Sequence, residues 1–228
     1  MSDLELWRLG DLEKSHKERR IEAVISFLDD EHDERVRTLW AALEDNFGLQ
    51  GIYGTPFPHF SYHGAEGYEQ TYVRRLLEQV AHETEPFVVH TSGFGVFTGP
   101  APVLYLPVVR APALATCHQA LWAGLSSLAE NPNVYYHPTY WVPHITLAYS
   151  DLTYELLPQV IRFLSEQDTN WDLEVANLSL AYVEGPDQGI RFTLPFREEE
   201  ADDADADDDA AADDAAAAET TEHDDDCA

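Results

Sequence analysis

Apolar residues recur along this chain in two rhythms. Over Ile21–Leu28 (IEAVISFL) they form a dense short run, which predicts a strand. Over Asp30–Phe47 they return every third or fourth position, at Val36, Leu39, Trp40, Leu43 and Phe47, which predicts a helix stopped by Gly48. Phe57–His63 alternates in twos and predicts an aromatic-rich strand. Gly67–Glu83 goes back to helical spacing through Tyr72, Leu76, Leu77 and Val80, and Pro86 separates it from a strand at Phe87–Thr91. The succession then repeats. It predicts a strand at Val103–Val109, a helix at Ala113–Leu128, a strand at Trp141–Tyr149, a helix at Tyr154–Leu164 and a strand at Leu173–Val183. A turn containing Gly185, Pro186 and Gly189 leads to a last strand, Ile190–Phe196.

Each half thus runs strand, helix, strand, helix, strand, and each carries one marked tetrad. These are Pro58-His59-Phe60-Ser61 and Pro143-His144-Ile145-Thr146, which start 85 residues apart. An internal duplication is the simplest source of that pattern. It predicts an α+β fold of two similar lobes, with two antiparallel sheets bringing the marked strands to a central cleft. On a strand, residues i and i+2 share a face. His59 and Ser61 therefore point one way, and so do His144 and Thr146, while Ile145 and Leu147 turn towards the helices. Two imidazoles and two hydroxyls in one cleft make a defined chemical tool. One histidine can act as base while the other acts as acid. The hydroxyls can donate hydrogen bonds to an anionic oxygen in the transition state. The set suits in-line attack on a phosphodiester without a metal.

Paired Pro-His-x-Ser/Thr tetrads on strands of duplicated lobes resemble the 2H phosphoesterases, which include 2′-5′ RNA ligase-like proteins and cyclic phosphodiesterases. The resemblance spans roughly residues 21–196. It extends to Gly93-Phe94-Gly95-Val96-Phe97 and Val103-Leu104-Tyr105-Leu106, which look like the family's central hairpin. It implies a hydrolase that opens 2′,3′-cyclic or related phosphates, with ligation as the reverse reaction and a place in RNA processing. It implies His59 and His144 as the catalytic pair and Ser61 and Thr146 as phosphate binders, with no cofactor. A binding module that holds a nucleotide or RNA end on the same fold is the alternative.

Other residues add less. Arg191 and Thr193 lie opposite the apolar row Ile190, Phe192, Leu194 and Phe196, which makes Arg191 a candidate phosphate contact. His63 and His90 could also reach the cleft. A metal held by His59, His63 and His144 has no recognised ligand spacing, so no metal is assigned. The two lysines, Lys14 and Lys17, follow no glycine, which excludes a P-loop, and Thr98 stands where a dinucleotide fingerprint needs its third glycine. No Gly-x-Ser-x-Gly occurs.

Charge changes the picture of the ligand. Residues 198–228 hold 16 of the 43 acidic side chains and none of the 13 basic ones, which leaves 27 acids against 13 bases in residues 1–197. Residues 198–228 read as a disordered Asp/Ala-rich tail, 1–20 as an N-terminal extension and 21–197 as the bilobed domain. So acidic a body argues against a long nucleic-acid footprint and for a small nucleotide or an RNA end carrying a cyclic phosphate. No apolar run reaches membrane-spanning length, and residues 1–20 do not read as a signal peptide. With two cysteines and no disulfide framework, the reading is a cytoplasmic location, and a monomer is expected. Two lysines among so many aspartates also suggest a high-salt source.

Overall fold

The computed structural model describes residues 20–197. The extension (except Arg20) and the acidic tail lie outside the described residues. In chain order the elements are β1 (Arg20–Phe27), α1 (Asp30–Phe47), a 3-10 turn (Gly51–Gly54), β2 (His59–Ala65), β3 (Gly67–Tyr68), α2 (Gln70–Glu83), β4 (Phe87–His90) and β5 (Gly95–Phe97). There follow β6 (Val103–Pro107), α3 (Pro112–Leu125), β7 (Ala129–Glu130), a second 3-10 turn (Val134–Tyr136), β8 (His144–Ala148), α4 (Leu157–Leu164), β9 (Asp172–Val175), β10 (Asn177–Glu184) and β11 (Asp187–Pro195). This is the predicted α+β succession.

Two antiparallel sheets organise it. The first has the order β11-β10-β1-β2. The second joins β5-β6-β8 to the pair β4-β9 through a bridge between Thr91 and Val108. Both β4 and β5 follow the same side of β6, since the Val109 amide donates to the His90 carbonyl at 2.7 Å. Each tetrad strand, β2 or β8, is the edge of its sheet, and the two edges lie against each other.

The helices exchange partners. α1 leads into β2 but packs on β8, whereas α3 leads towards β8 but packs on β2. α2 packs on α3 and on β10 and β11. The Asp29 carboxylate caps α1 by accepting from the His32 amide, and Gly48 ends it with φ 73°, a left-handed conformation that suits glycine. The core beneath is continuous through Trp40, Leu43, Leu77, Leu104, Leu121, Ile145 and Leu178, all 2% exposed or less.

The departures from the predicted boundaries come from prolines and from long-range pairing. Strand β2 begins at His59 and β8 at His144, because Pro58 and Pro143 bring no N–H to a ladder. Trp141 therefore lies in a loop, its amide donating to the His137 carbonyl at 2.9 Å. The apolar run Leu173–Val183 is two strands in different sheets, broken at Ala176. Gly67-Tyr68 pairs with Glu130-Ala129, so α2 starts at Gln70 with Glu69 as its cap. α4 starts only at Leu157, with Pro158 in its first turn.

Candidate active site

The strand pattern sets the site. His59 and Ser61 are half-buried while Phe60 and Tyr62 are fully buried. His144 and Thr146 are half-buried while Ile145 and Leu147 are fully buried. The alternation is the same in both tetrads, so each offers one imidazole and one hydroxyl on its open face.

Both imidazoles are held in the same way. His59 Nδ1 lies 2.9 Å from the Phe57 carbonyl oxygen, and His144 Nδ1 lies 2.8 Å from that of Val142. A carbonyl only accepts, so each Nδ1 carries the proton and donates it. Each Nε2 is left as a free lone pair. Aromatic rings fix the imidazoles from the side. Phe57 sits 5.5 Å from His59, and Phe97 and Tyr105, themselves stacked at 4.1 Å, meet His144 at 4.9 and 5.2 Å.

Surrounding protein favours the neutral rings. Burial pushes His59 down to about 4, the Phe57 carbonyl works against that, and nearby His144 lowers it further. His144 is also lowered by burial, against the pull of the Val142 carbonyl. The charge effect of His144 on His59 acts across the β2–β8 contact.

Sequence reasoning missed several supporting residues. Burial raises the pKa of the Tyr136 phenol, and the Ser61 hydroxyl works against that. Gly64 leaves room for that ring, since a Cβ there would sit 2.9 Å from it. The indole of Trp141 donates to the Ser61 carbonyl at 2.9 Å, and that of Trp40 donates to the Thr146 carbonyl at 3.0 Å. Trp40 read as an ordinary core position of a helix, and Trp141 as the start of a strand.

The other predicted residues lie elsewhere. Arg191 is on β11, at the opposite edge of the first sheet from β2. Its guanidinium pairs with the fully buried Glu22 at 2.5 Å and with Glu184 at 2.6 Å, and lies over the Tyr182 ring. It is thus not brought together with the tetrads. His63 is fully buried, bonds the Tyr68 hydroxyl at 2.6 Å through Nδ1 and faces Trp122 and Tyr136. His90 is exposed and pairs with Asp172 at 2.8 Å. Among the described residues, no group of three or more His, Cys, Asp or Glu side chains could hold a metal ion. No described helix is long and apolar enough to cross a membrane.

The 2′-5′ RNA ligase superfamily model matches residues 28–187. Among solved structures, TT0787 of Thermus thermophilus is similar at 16% identity, covering 78% of this chain and 99% of its own, with a TM-score of 0.54. E. coli LigT, solved in complex with NADP+, is similar at 14% identity, covering 79% of this chain and 99% of its own, with a TM-score of 0.50. At these identities the likeness is one of fold. No curated protein sequence matches the chain.

Proposed function

The chain belongs to the 2′-5′ RNA ligase superfamily, and from that premise we propose that it hydrolyses 2′,3′-cyclic or related phosphates with His59 and His144 as acid and base. The observation that carries the reading is the pair of Nε2 lone pairs, each freed by a carbonyl bond at Nδ1, on two strands that meet edge to edge.

The chemistry follows from that geometry. One neutral Nε2 removes a proton from a water as the water oxygen attacks phosphorus. The opposite imidazole, protonated, gives its proton to the departing ribose oxygen as the P–O bond breaks. The product is a phosphate monoester, and the protons have changed sides. Reversal of the same steps would join two ends. Ser61 and Thr146 donate to the non-bridging oxygens, whose charge grows in the transition state. No metal takes part, because the imidazoles supply both proton transfers. Burial leaves both rings mostly unprotonated before substrate arrives. The phosphodiester anion, entering between them, favours the charged form and restores the proton to the acid.

The ligand is a small nucleotide or an RNA end. Six of the nine arginines at positions 20–197 are paired with carboxylates, which leaves little cationic surface for a longer strand. The test is incubation of purified protein with 2′,3′-cyclic nucleotides, with and without EDTA. Turnover that survives chelation and yields one phosphomonoester isomer supports the reading. Tight binding without turnover would replace it with the binding-module alternative.

A further inference from the structure

Both tetrad strands are sheet edges, so one side of each backbone has no strand hydrogen-bonded to it in its sheet. A buried carbonyl in that position needs a donor from elsewhere. In both strands the donor is an indole, and in both the carbonyl belongs to the tetrad's hydroxyl residue. The donors are exchanged between the halves. Trp40 lies between β1 and β2 but holds Thr146 on β8, and Trp141 lies between β6 and β8 but holds Ser61 on β2. Each indole is only 2% exposed. Trp141 is itself held, with the Tyr62 ring at 6.0 Å and the His118 ring stacked on it at 3.7 Å and 4°. His118 Nε2 in turn donates to the Tyr136 carbonyl at 3.0 Å, which fixes that ring in its plane. Trp40 meets the Tyr53 ring edge-on at 6.3 Å.

We propose that Trp40 and Trp141 are paired positioning residues whose indole N–H groups set the spacing and aim of the two catalytic strands. Neither touches substrate. Each fixes a peptide plane two residues after a catalytic imidazole, and each does so from the other half of the chain. The pair therefore ties the two tetrads to one another as well as to the core. An in-line reaction between two proton-transfer groups is sensitive to that spacing, since a misplacement of about 1 Å can cost on the order of 100-fold.

The proposal rests on the hydrolase reading for its kinetic arm only. Trp40→Phe and Trp141→Phe each keep an aromatic ring and remove the N–H. Trp171→Phe is the control, because that indole is 5% exposed and donates to the Asp168 carbonyl at 3.0 Å, away from the tetrads. The two test variants are expected to lose about 10- to 100-fold in kcat on a 2′,3′-cyclic nucleotide, with KM within about threefold. Trp171→Phe should lose comparable thermal stability and keep kcat within about twofold. Independently of turnover, NMR titration of His59 and His144 should show displaced midpoints in the test variants and unchanged ones in the control. His118→Phe, which keeps a ring against Trp141 but loses its anchor, should lower kcat in the same direction by a smaller factor. Test variants that melt like the control and keep both kcat and the histidine titrations would overturn the proposal. If the wild type turns over no cyclic phosphate, the hydrolase reading fails, and the titrations alone decide this one.

Discussion

The two tetrad strands, β2 and β8, agree wherever the proposed chemistry needs agreement and differ almost everywhere else. In both, proline precedes the histidine, Nδ1 donates to the carbonyl two residues back, the side chains alternate half-buried and buried, and an indole holds the hydroxyl residue's carbonyl. Beyond that the strands diverge. The Ser61 hydroxyl offsets part of the burial effect on the Tyr136 phenol. His144 is flanked by Phe97 and Tyr105, whereas His59 is flanked by Phe57. Two residues after Ser61 comes the buried His63, while two after Thr146 comes Ala148. The shared features are the ones that the proposed proton transfers and phosphate contacts use. The others fill space in their own lobe, and space can be filled in many ways.

The largest expected effect tests the shared features. His59→Ala and His144→Ala should each reduce kcat by about 100- to 10,000-fold, with melting temperature nearly unchanged. Because the two act as a unit, the double variant should be little worse than either single one. A single variant with near-normal kcat would break the equivalence of the two lobes.

The hydroxyls come next. Ser61→Ala and Thr146→Ala should each cost on the order of 100-fold in kcat. Thr146→Ser should stay within about threefold, because a serine keeps the hydroxyl, as at Ser61 in the other tetrad, and only rotamer stiffness is lost. A Thr146→Ser variant as poor as Thr146→Ala would mean that the methyl group, not the hydroxyl, carries the role.

The pH profile is subtler. Burial holds both imidazoles below their ordinary range, so the singly protonated free enzyme becomes a minority as pH rises. The kcat/KM measured from pH 8 down to 6 should therefore rise, by up to about tenfold per unit. The optimum should fall below the ordinary histidine value of 6.5. The kcat profile, which reports the complex, should lie at higher pH, because bound phosphate favours the imidazolium. Superimposable profiles would show that the anion does not supply that charge.

The smallest effect concerns stability and separates the lobes. His59, His63 and His118 are each lowered to about 4, first of all by burial, against 6.5 when unfolded. Between those values the unfolded chain binds protons that the folded chain does not. Stability should be fully present above about pH 6.5 and should decline as pH falls towards 4. His63 Nε2 has no partner among the described residues, so His63→Leu should flatten the acid limb of the melting curve. An unchanged acid limb would mean that His63 is not one of the groups responsible.

The alternation FPHFSYH and the run WVPHITLAY were enough to read which residues share a face, because period-two patterning is a local property of a strand. The repeated succession of apolar rhythms was readable for the same reason. Boundary shifts at Pro58, Pro143 and Pro158 are local, and the other failures are non-local. Ala176 breaks an apolar run that looks continuous, since nothing in Leu173–Val183 says that its ends join different sheets. Arg191 does stand opposite the apolar row of β11, but its carboxylate partner Glu22 is 169 residues away in the chain. Trp40 and Trp141 reach carbonyls 106 and 80 residues distant, and an indole N–H leaves no periodic trace.

In the proposed mechanism, two neutral, carbonyl-anchored imidazoles on meeting strand edges open a cyclic phosphate without a metal. The most direct measurement is the steady-state rate on a 2′,3′-cyclic nucleotide in EDTA for wild type, His59→Ala and His144→Ala, with melting curves for all three. The wild type should turn over substrate at a rate that chelation leaves intact, and both folded variants should lose nearly all of it. Turnover abolished by EDTA and restored by added metal, or retained by either folded variant, would contradict that mechanism.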